Sequence, residues 1–343
     1  MKEKYDFNDI LIQTAISSSI ESRRSQVNNL YEGSTLPIFV SPMDTVIDYN
    51  NYRKFVSNNL NVCLPRGENY VKTSEGATPF IFNSVSLSFI DKAIKENIEL
   101  VNNYLLIDIA NGHMLKLEKM VREFKEKYPQ SVLMVGNIAN PKTYRKLSLA
   151  GADFIRVGIG FGSGCLTTEK TGVGYPMASL VRECYEEKCK IESEKAAKIV
   201  ADGGFKKESD IIKALALGAD YVMLGGMFNR AIESAGDNYI FKYLKVSNKI
   251  AKKAFERGYT VRKSFRGMST KEVQRKWGNR QLKTSEGVKR MNKVEYTLSG
   301  WCENFSDYLK SAMSYTNSNN LEDFIGKVKY NKISSHSFKR FTK

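Results

Sequence analysis

Short apolar runs rich in β-branched residues recur along the first two thirds of the chain, at 37–40, 61–64, 79–83, 104–108, 132–135, 154–157, 198–202 and 220–224. Between most of them the apolar positions change to three- and four-residue spacing, as in SFIDKAIKENIELV, MLKLEKMVREFKEKY, KTYRKLSLAG and ESDIIKALALG. The first pattern predicts strands and the second amphipathic helices. Strand and helix alternating about eight times predict an α/β fold with a parallel sheet, and the count matches a sheet closed into a (β/α)8 TIM barrel. An open doubly wound sheet is the other arrangement this alternation allows.

Reactive groups in such barrels gather at the carboxyl ends of the strands. The predicted strands run into Ser41, Arg66, Asn83, Asp108, Asn137, Gly158, Asp202 and Gly225. Any one of these is an ordinary turn residue, but together they would converge on one mouth. From about Asn229 the pattern changes to a charged helical stretch, a glycine-bearing loop around SFRGMST, a polar segment to KTSEG, strand-like VEYTLSG and a helix near 305–312. We read residues 1–317 as a single barrel domain with a lid-like insertion at about 229–300. Residues 318–343 read as a basic C-terminal tail.

Composition narrows the chemistry. The 343 residues, 42% of them hydrophobic, suffice for one large core. No apolar run is long enough to cross a bilayer, and the opening MKEKYDFNDI lacks the apolar stretch of a secretory signal, so a cytoplasmic location is expected. Five cysteines without CxxC spacing argue against a disulfide framework or a structural zinc site. With only two histidines, His113 and His336, acid and base work falls largely to other groups. The formal charge of +16 suits a nucleic-acid partner, but the basic residues are mixed with acids in most helices. A phosphorylated small molecule satisfies the same positive potential.

The glycine series GIGFGSG follows the sixth predicted strand, and its backbone amides, with the Ser163 hydroxyl, suit a phosphate. A second loop, LGGMF, follows the eighth strand, where barrels commonly bind phosphate. Cys165 stands just after the first loop. A free cysteine is often a small buried hydrophobe; at a barrel mouth, among backbone N–H groups that stabilise a thiolate, it reads as a nucleophile.

Five stretches taken in order, SPMDTVID, DIANGH, GIGFGSGCLTTEKTGVGYP, VADGGFKKESDIIKALALGADYVMLGG and FRGMST, resemble the IMP dehydrogenase and GMP reductase family. The likeness runs from about Tyr5 to Tyr315. It implies that Cys165 attacks C2 of the purine of a nucleoside 5′-monophosphate, with Thr167 and Glu286 handling protons. It implies that Ser163, Gly225 and Gly226 hold the phosphate, that Gly203 belongs to the substrate site and that Asp202 accepts from the ribose hydroxyls. Ser41 and Met43 would line the nucleotide pocket, and Arg266, Gly267, Met268, Ser269 and Lys283 would surround the base. For a nicotinamide cofactor, NADPH in the reductases, it implies Arg66, Asn83, Ser84, Asp108, Ala110, Thr168, Ser311 and Tyr315, the last two reaching a neighbouring subunit of a homotetramer. A monovalent cation such as K+ at Gly160, Gly162 and Cys165 is a further implication.

Two reactions compete within the family. The reductase consumes GMP and NADPH and releases IMP and ammonia; the dehydrogenase takes IMP and NAD to XMP and needs an activated water. Dehydrogenases supply that water from a flap bearing an adjacent arginine and tyrosine. Here only 18 positions separate Met268 from Glu286, and Arg280 is followed by Gln281. A hydrolytic step without a base is slow, so the reductase is the favoured reading. Other departures are Thr168 and Glu169 where reductases often carry an arginine, Lys283 in place of an arginine, and Phe265 in place of a tyrosine that contacts phosphate in dehydrogenases. A non-catalytic nucleotide or nucleic-acid binder is the reading from outside the family.

Overall fold

The structure is a computed structural model, described here for residues 3–68, 70–71, 78–241, 243–276 and 287–341. Eight parallel strands close into a barrel: β1 (Ile38–Val40), β2 (Asn61–Leu64), β3 (Ile81–Val85), β4 (Tyr104–Asp108), β5 (Val132–Ile138), β6 (Phe154–Val157), β7 (Lys198–Asp202) and β8 (Tyr221–Leu224). Closure is made by β1 against β8, with Ile38 opposite Val222 and Val40 opposite Leu224. The open doubly wound alternative is therefore excluded. Relative to the sequence reading, β3 begins two residues later, after Pro79, which has no N–H to give a ladder.

Period-two alternation along the strands decides what enters the barrel. Phe39, Cys63, Phe82, Tyr104, Leu106, Met134, Phe154, Val200, Tyr221 and Met223 pack together in its interior. Their rings meet mostly edge to face, as Phe82 and Tyr104 do at 5.5 Å and 89°. The alternate residues, among them Ile38, Val40, Val62, Leu64, Leu105 and Ile107, face the surrounding helices in the larger core. The helices of that layer include Leu87–Glu96, Leu115–Lys127, Pro141–Leu149, Met177–Lys188 and Glu208–Leu217. Side chains at caps start two of them: Ser86 accepts from the Phe89 amide and Asn140 from the Lys142 amide.

The same alternation carries polar groups to the mouth. Tyr104 and Leu106 are followed, two residues on, by Asp108; Phe154 by Arg156; Val200 by Asp202; and Met223 by Gly225. On β5 the register shifts between Gly136 and Ile138. The irregularity re-aims one side chain, as bulges do, and Asn137 joins the mouth.

Beyond β8 the chain builds a four-stranded antiparallel sheet from β9 (Asn238–Ile240), β10 (Leu244–Val246), β11 (Arg262–Arg266) and β12 (Lys289–Lys293), in the order β10-β9-β11-β12. Ile232, Ala251, Val261 and Val294 form its small core. The stretch VEYTLSG, expected as a strand, is not one: Thr297 caps a helix over Leu298–Tyr315 by accepting from the Gly300 amide. That helix is longer than expected because Trp301, Phe305, Leu309 and Met313, four residues apart, present one apolar stripe to the barrel. After residue 317, Leu321 and Phe324 are buried, and Tyr330–Lys332 pairs antiparallel with Ile10–Ile12.

Candidate active site

At the carboxyl end of the barrel lies a cavity of about 830 Å³. Its wall takes Ser41 and Met43 from the loop after β1, Arg66 after β2, Asp108 and Ala110 at the end of β4, Gly162, Ser163 and Cys165 after β6, and Asp202 and Gly203 after β7. Gly225 and Gly226 come from the loop after β8, and Gly267, Met268 and Ser269 from the loop after β11. The volume is that of a site for a substantial small molecule.

Two loops meet at one end of this cavity so closely that a side chain on Gly226 would begin 2.1 Å from the Ser163 hydroxyl. Only a glycine permits that approach, and it leaves backbone amides and a hydroxyl facing a common space. Gly203, held at φ +98°, lies against the Gly162 amide, which brings a third glycine loop to the same place.

Cys165 is half-buried on the wall, and its thiol donates to Thr167 Oγ1 at 3.2 Å. The loop that carries it is tied down on both sides. The Cys165 amide donates to the Gly162 carbonyl at 2.8 Å, Val288 N donates to the Gly164 carbonyl at 3.1 Å, and Gly267 N donates to the Val288 carbonyl at 2.9 Å. Cys165 also bridges Gly287 as an isolated β pair. Three segments distant in sequence thus fix one sulfur at the cavity wall.

The floor is a buried ion network. Arg156, its side chain 7% exposed, reaches Asp108 Oδ1 with Nη1 at 2.8 Å and Asp202 Oδ2 with Nη2 at 2.7 Å. Asn137 Nδ2 donates to the same Asp202 oxygen at 2.8 Å and to the Gly158 carbonyl at 2.8 Å. Burial by itself favours loss of the Arg156 proton, but the carboxylates of Asp202 and Asp108 outweigh it and hold the guanidinium more firmly protonated than usual. Arg66 donates to the Asp108 carbonyl and stands 3.9 Å from its carboxylate. Two carboxylates and the Arg156 guanidinium are thereby held on the strands, with Arg66 beside the second Asp108 oxygen.

Other residues singled out by the sequence lie elsewhere. Arg266 is engaged away from the cavity, with Nε 3.1 Å from Asp44 Oδ1 and further contacts to Asp44 and Glu272. Thr168 Oγ1 donates to the Val173 carbonyl at 2.7 Å and packs against Gly160. Asn83 is buried and bonds the backbone of Val71, and Ser84 is buried beside it on β3. Ser311 and the exposed Tyr315 sit on the outer helix Leu298–Tyr315, outside the cavity wall. Lys283 and Glu286 lie outside the described residues.

The sequence reading missed Arg156, Lys206, Arg230, Gln274 and Arg290, all of which line the cavity. For Arg156 a signal existed: a lone charge in the apolar run FIRV has to be paired where it is buried. The others stand on a loop (Lys206), short helical turns (Arg230, Gln274) and the added sheet (Arg290), where neither period nor motif marks a cavity wall. Among the described residues no cluster of histidine, cysteine and carboxylate side chains suits a metal ion.

Comparison with known proteins gives the arrangement a lineage. The chain is 26% identical over 358 residues to a GMP reductase of Caenorhabditis elegans, an alignment covering 97% of this chain and 93% of that protein. It is 30% identical over 319 residues to GMP reductase 2 of Mus musculus, covering 86% and 85%. It is 31% identical over 303 residues to a GMP reductase of Buchnera aphidicola, covering 77% and 84%. The profile of the IMP dehydrogenase / GMP reductase domain matches residues 86–341, and with the closed barrel and the glycine loops around Cys165 it places the chain in that family.

Proposed function

We propose that this protein is an NADPH-dependent GMP reductase that converts GMP to IMP and ammonia through a covalent bond between Cys165 and C2 of the purine. The observation that carries the reading is the placement of the Cys165 sulfur in the same cavity as the Ser163 and Gly226 cradle and the Asp202 carboxylate. That spacing suits a mononucleotide with its phosphate in the cradle, its ribose hydroxyls on Asp202 and its base against the thiol. The Cys165 thiolate adds to C2, and the amino group, once protonated, leaves as ammonia to give a thioimidate. Thr167, bonded to the sulfur, and Glu286, whose chain neighbour Gly287 pairs with Cys165, are the proposed proton carriers.

The remaining cavity wall fits the reduced cofactor in its chemistry. Asp108 offers an acceptor for sugar hydroxyls, Ile109 and Ala110 an apolar surface for a ring, and Arg66 a charge for a phosphate. NADPH, when bound, supplies the hydride that replaces sulfur at C2. Asn83, Ser84 and Thr168, a neighbouring subunit's Ser311 and Tyr315 in a homotetramer, K+ at Gly160, Gly162 and Cys165, and a cytoplasmic location complete the proposal.

The decisive experiment mixes protein, GMP and NADPH and follows nicotinamide absorbance, ammonia and IMP together. Stoichiometric appearance of IMP and ammonia supports the reading. Formation of XMP from IMP and NAD, with no turnover of GMP, would favour the dehydrogenase. Salt-sensitive binding of polynucleotides without turnover of either nucleotide would favour a non-catalytic binder.

A further inference from the structure

The cations on the cavity wall fall into two groups. Arg66 and Arg156 face the carboxylates of the floor. Lys206, Arg230 and Arg290 do not. Arg230 has Glu295 at 3.2 Å, whereas Arg290 forms no ion pair among the described residues. Arg290 stands on β12, and its guanidinium carbon is 4.9 Å from the centroid of the Phe265 ring. Phe265, 2% exposed, belongs to the wall of the phosphate cradle. Its Cζ is 3.7 Å from the point where a side chain on Gly226 would begin, and its Cε1 is 3.2 Å from the same point on Gly164. The ring therefore carries the arginine to the edge of the cradle, and stacking on an aromatic face holds the guanidinium plane in place. Arg290 is exposed on its strand, and partial desolvation, followed by the nearby positive charge of Arg230, disfavours its own charge. An incoming anion relieves both penalties.

Amides and a hydroxyl alone make a neutral cradle that recognises shape and hydrogen bonding. A guanidinium at its edge adds recognition of charge, and does so where Phe265 has no hydroxyl to contribute. We propose that Arg290 is a specificity-determining residue that binds the dianionic phosphate of a nucleoside 5′-monophosphate from its seat on Phe265. The proposal rests on the mononucleotide reading given above. It assigns Arg290 the selection of a phosphate monoester over the uncharged nucleoside, with the chemistry left to the groups around Cys165.

The test compares wild type with Arg290→Met, which keeps an apolar stem over Phe265, and Arg290→Lys, which keeps the charge. Binding of GMP and of guanosine is measured by calorimetry, and kcat and KM by NADPH oxidation. Arg290→Met is expected to weaken GMP binding at least ~10-fold, the loss of a charge-assisted hydrogen bond. Guanosine affinity stays within about twofold, and kcat falls far less than KM rises. Arg290→Lys recovers part of the GMP affinity. Wild-type affinity for GMP falls as the pH drops through about 6, where a phosphate monoester takes up its second proton, and Arg290→Met shows a shallower fall. The inference is overturned if wild type binds GMP and Arg290→Met binds it equally well, or if GMP and guanosine lose affinity alike. Failure of wild type to bind any purine mononucleotide would instead remove the mononucleotide reading on which the inference stands.

Discussion

Two residues bear most of the argument at the scale of single side chains. Cys165 is expected to act through its sulfur alone, because the loop around it is held by backbone bonds to Gly162, Val288 and Gly287 that an alanine keeps. Cys165→Ala should therefore abolish turnover of GMP while leaving its dissociation constant within about threefold, as calorimetry can check. Full activity in this variant would remove the covalent step. Arg156 is the opposite case, a residue the fold cannot lose cheaply. Replacing it with methionine leaves the half-buried Asp202 without a counter-charge and Asp108 with Arg66 alone, which costs roughly 3 kcal/mol. Chemical denaturation should register that loss.

At the scale of elements, β11 is tied by a buried lysine to the segment that leads from β8 into the added sheet. Lys263, 0% exposed, donates to the carbonyls of Ser234 at 2.6 Å and Gly236 at 3.3 Å. Desolvation lowers its pKa from 10.5 to about 8. The folded form then gives up its proton first, so between these values the unfolded chain binds more protons and stability rises with pH. Wild type should gain up to about 3 kcal/mol over Lys263→Met between about pH 8 and pH 10, and urea titrations across that range would show it. A difference independent of pH would mean that the lysine is already neutral or is reached by water. Elements of this added sheet were the least legible from sequence. The barrel strands announced themselves because each is a short apolar run flanked by polar turns, and the mouth residues were read from the positions where those runs end, which is why Arg156, inside its strand, escaped. By contrast β12 reads KRMNK, with no apolar run to mark it, and the run at 294–300 mimics a strand while its Thr297 starts a helix. Cys165, Ser163, Asp202 and the paired glycines were legible because their loops are dense in glycine after strong strands. Arg290 was not, since what makes it part of the cavity is a ring 25 positions earlier in the chain.

For the whole molecule, part of the formal charge of +16 is offset locally by neighbouring acids. On the outer helices many cations sit beside acids, as Lys92 with Glu96 and Lys119 with Glu123. Such exposed pairs contribute little to stability, but on these helix faces they break up the run of positive charge. The basic segment after 317 is likewise engaged in structure, with Phe324 buried and Tyr330–Lys332 forming one side of a ribbon with Ile10–Ile12. Truncation after residue 317 should lower the melting temperature by several degrees, as the buried apolar contacts of Leu321 and Phe324 are lost. An unchanged melting temperature would show that these contacts carry no net stability. The ribbon has one more consequence, for synthesis. A ribosome extends the chain from its amino end, so Ile10–Ile12 is made long before its pairing partner Tyr330–Lys332. In that interval the segment offers an unfilled strand edge, and the nascent polypeptide needs shielding at this seam until the matching strand has been made.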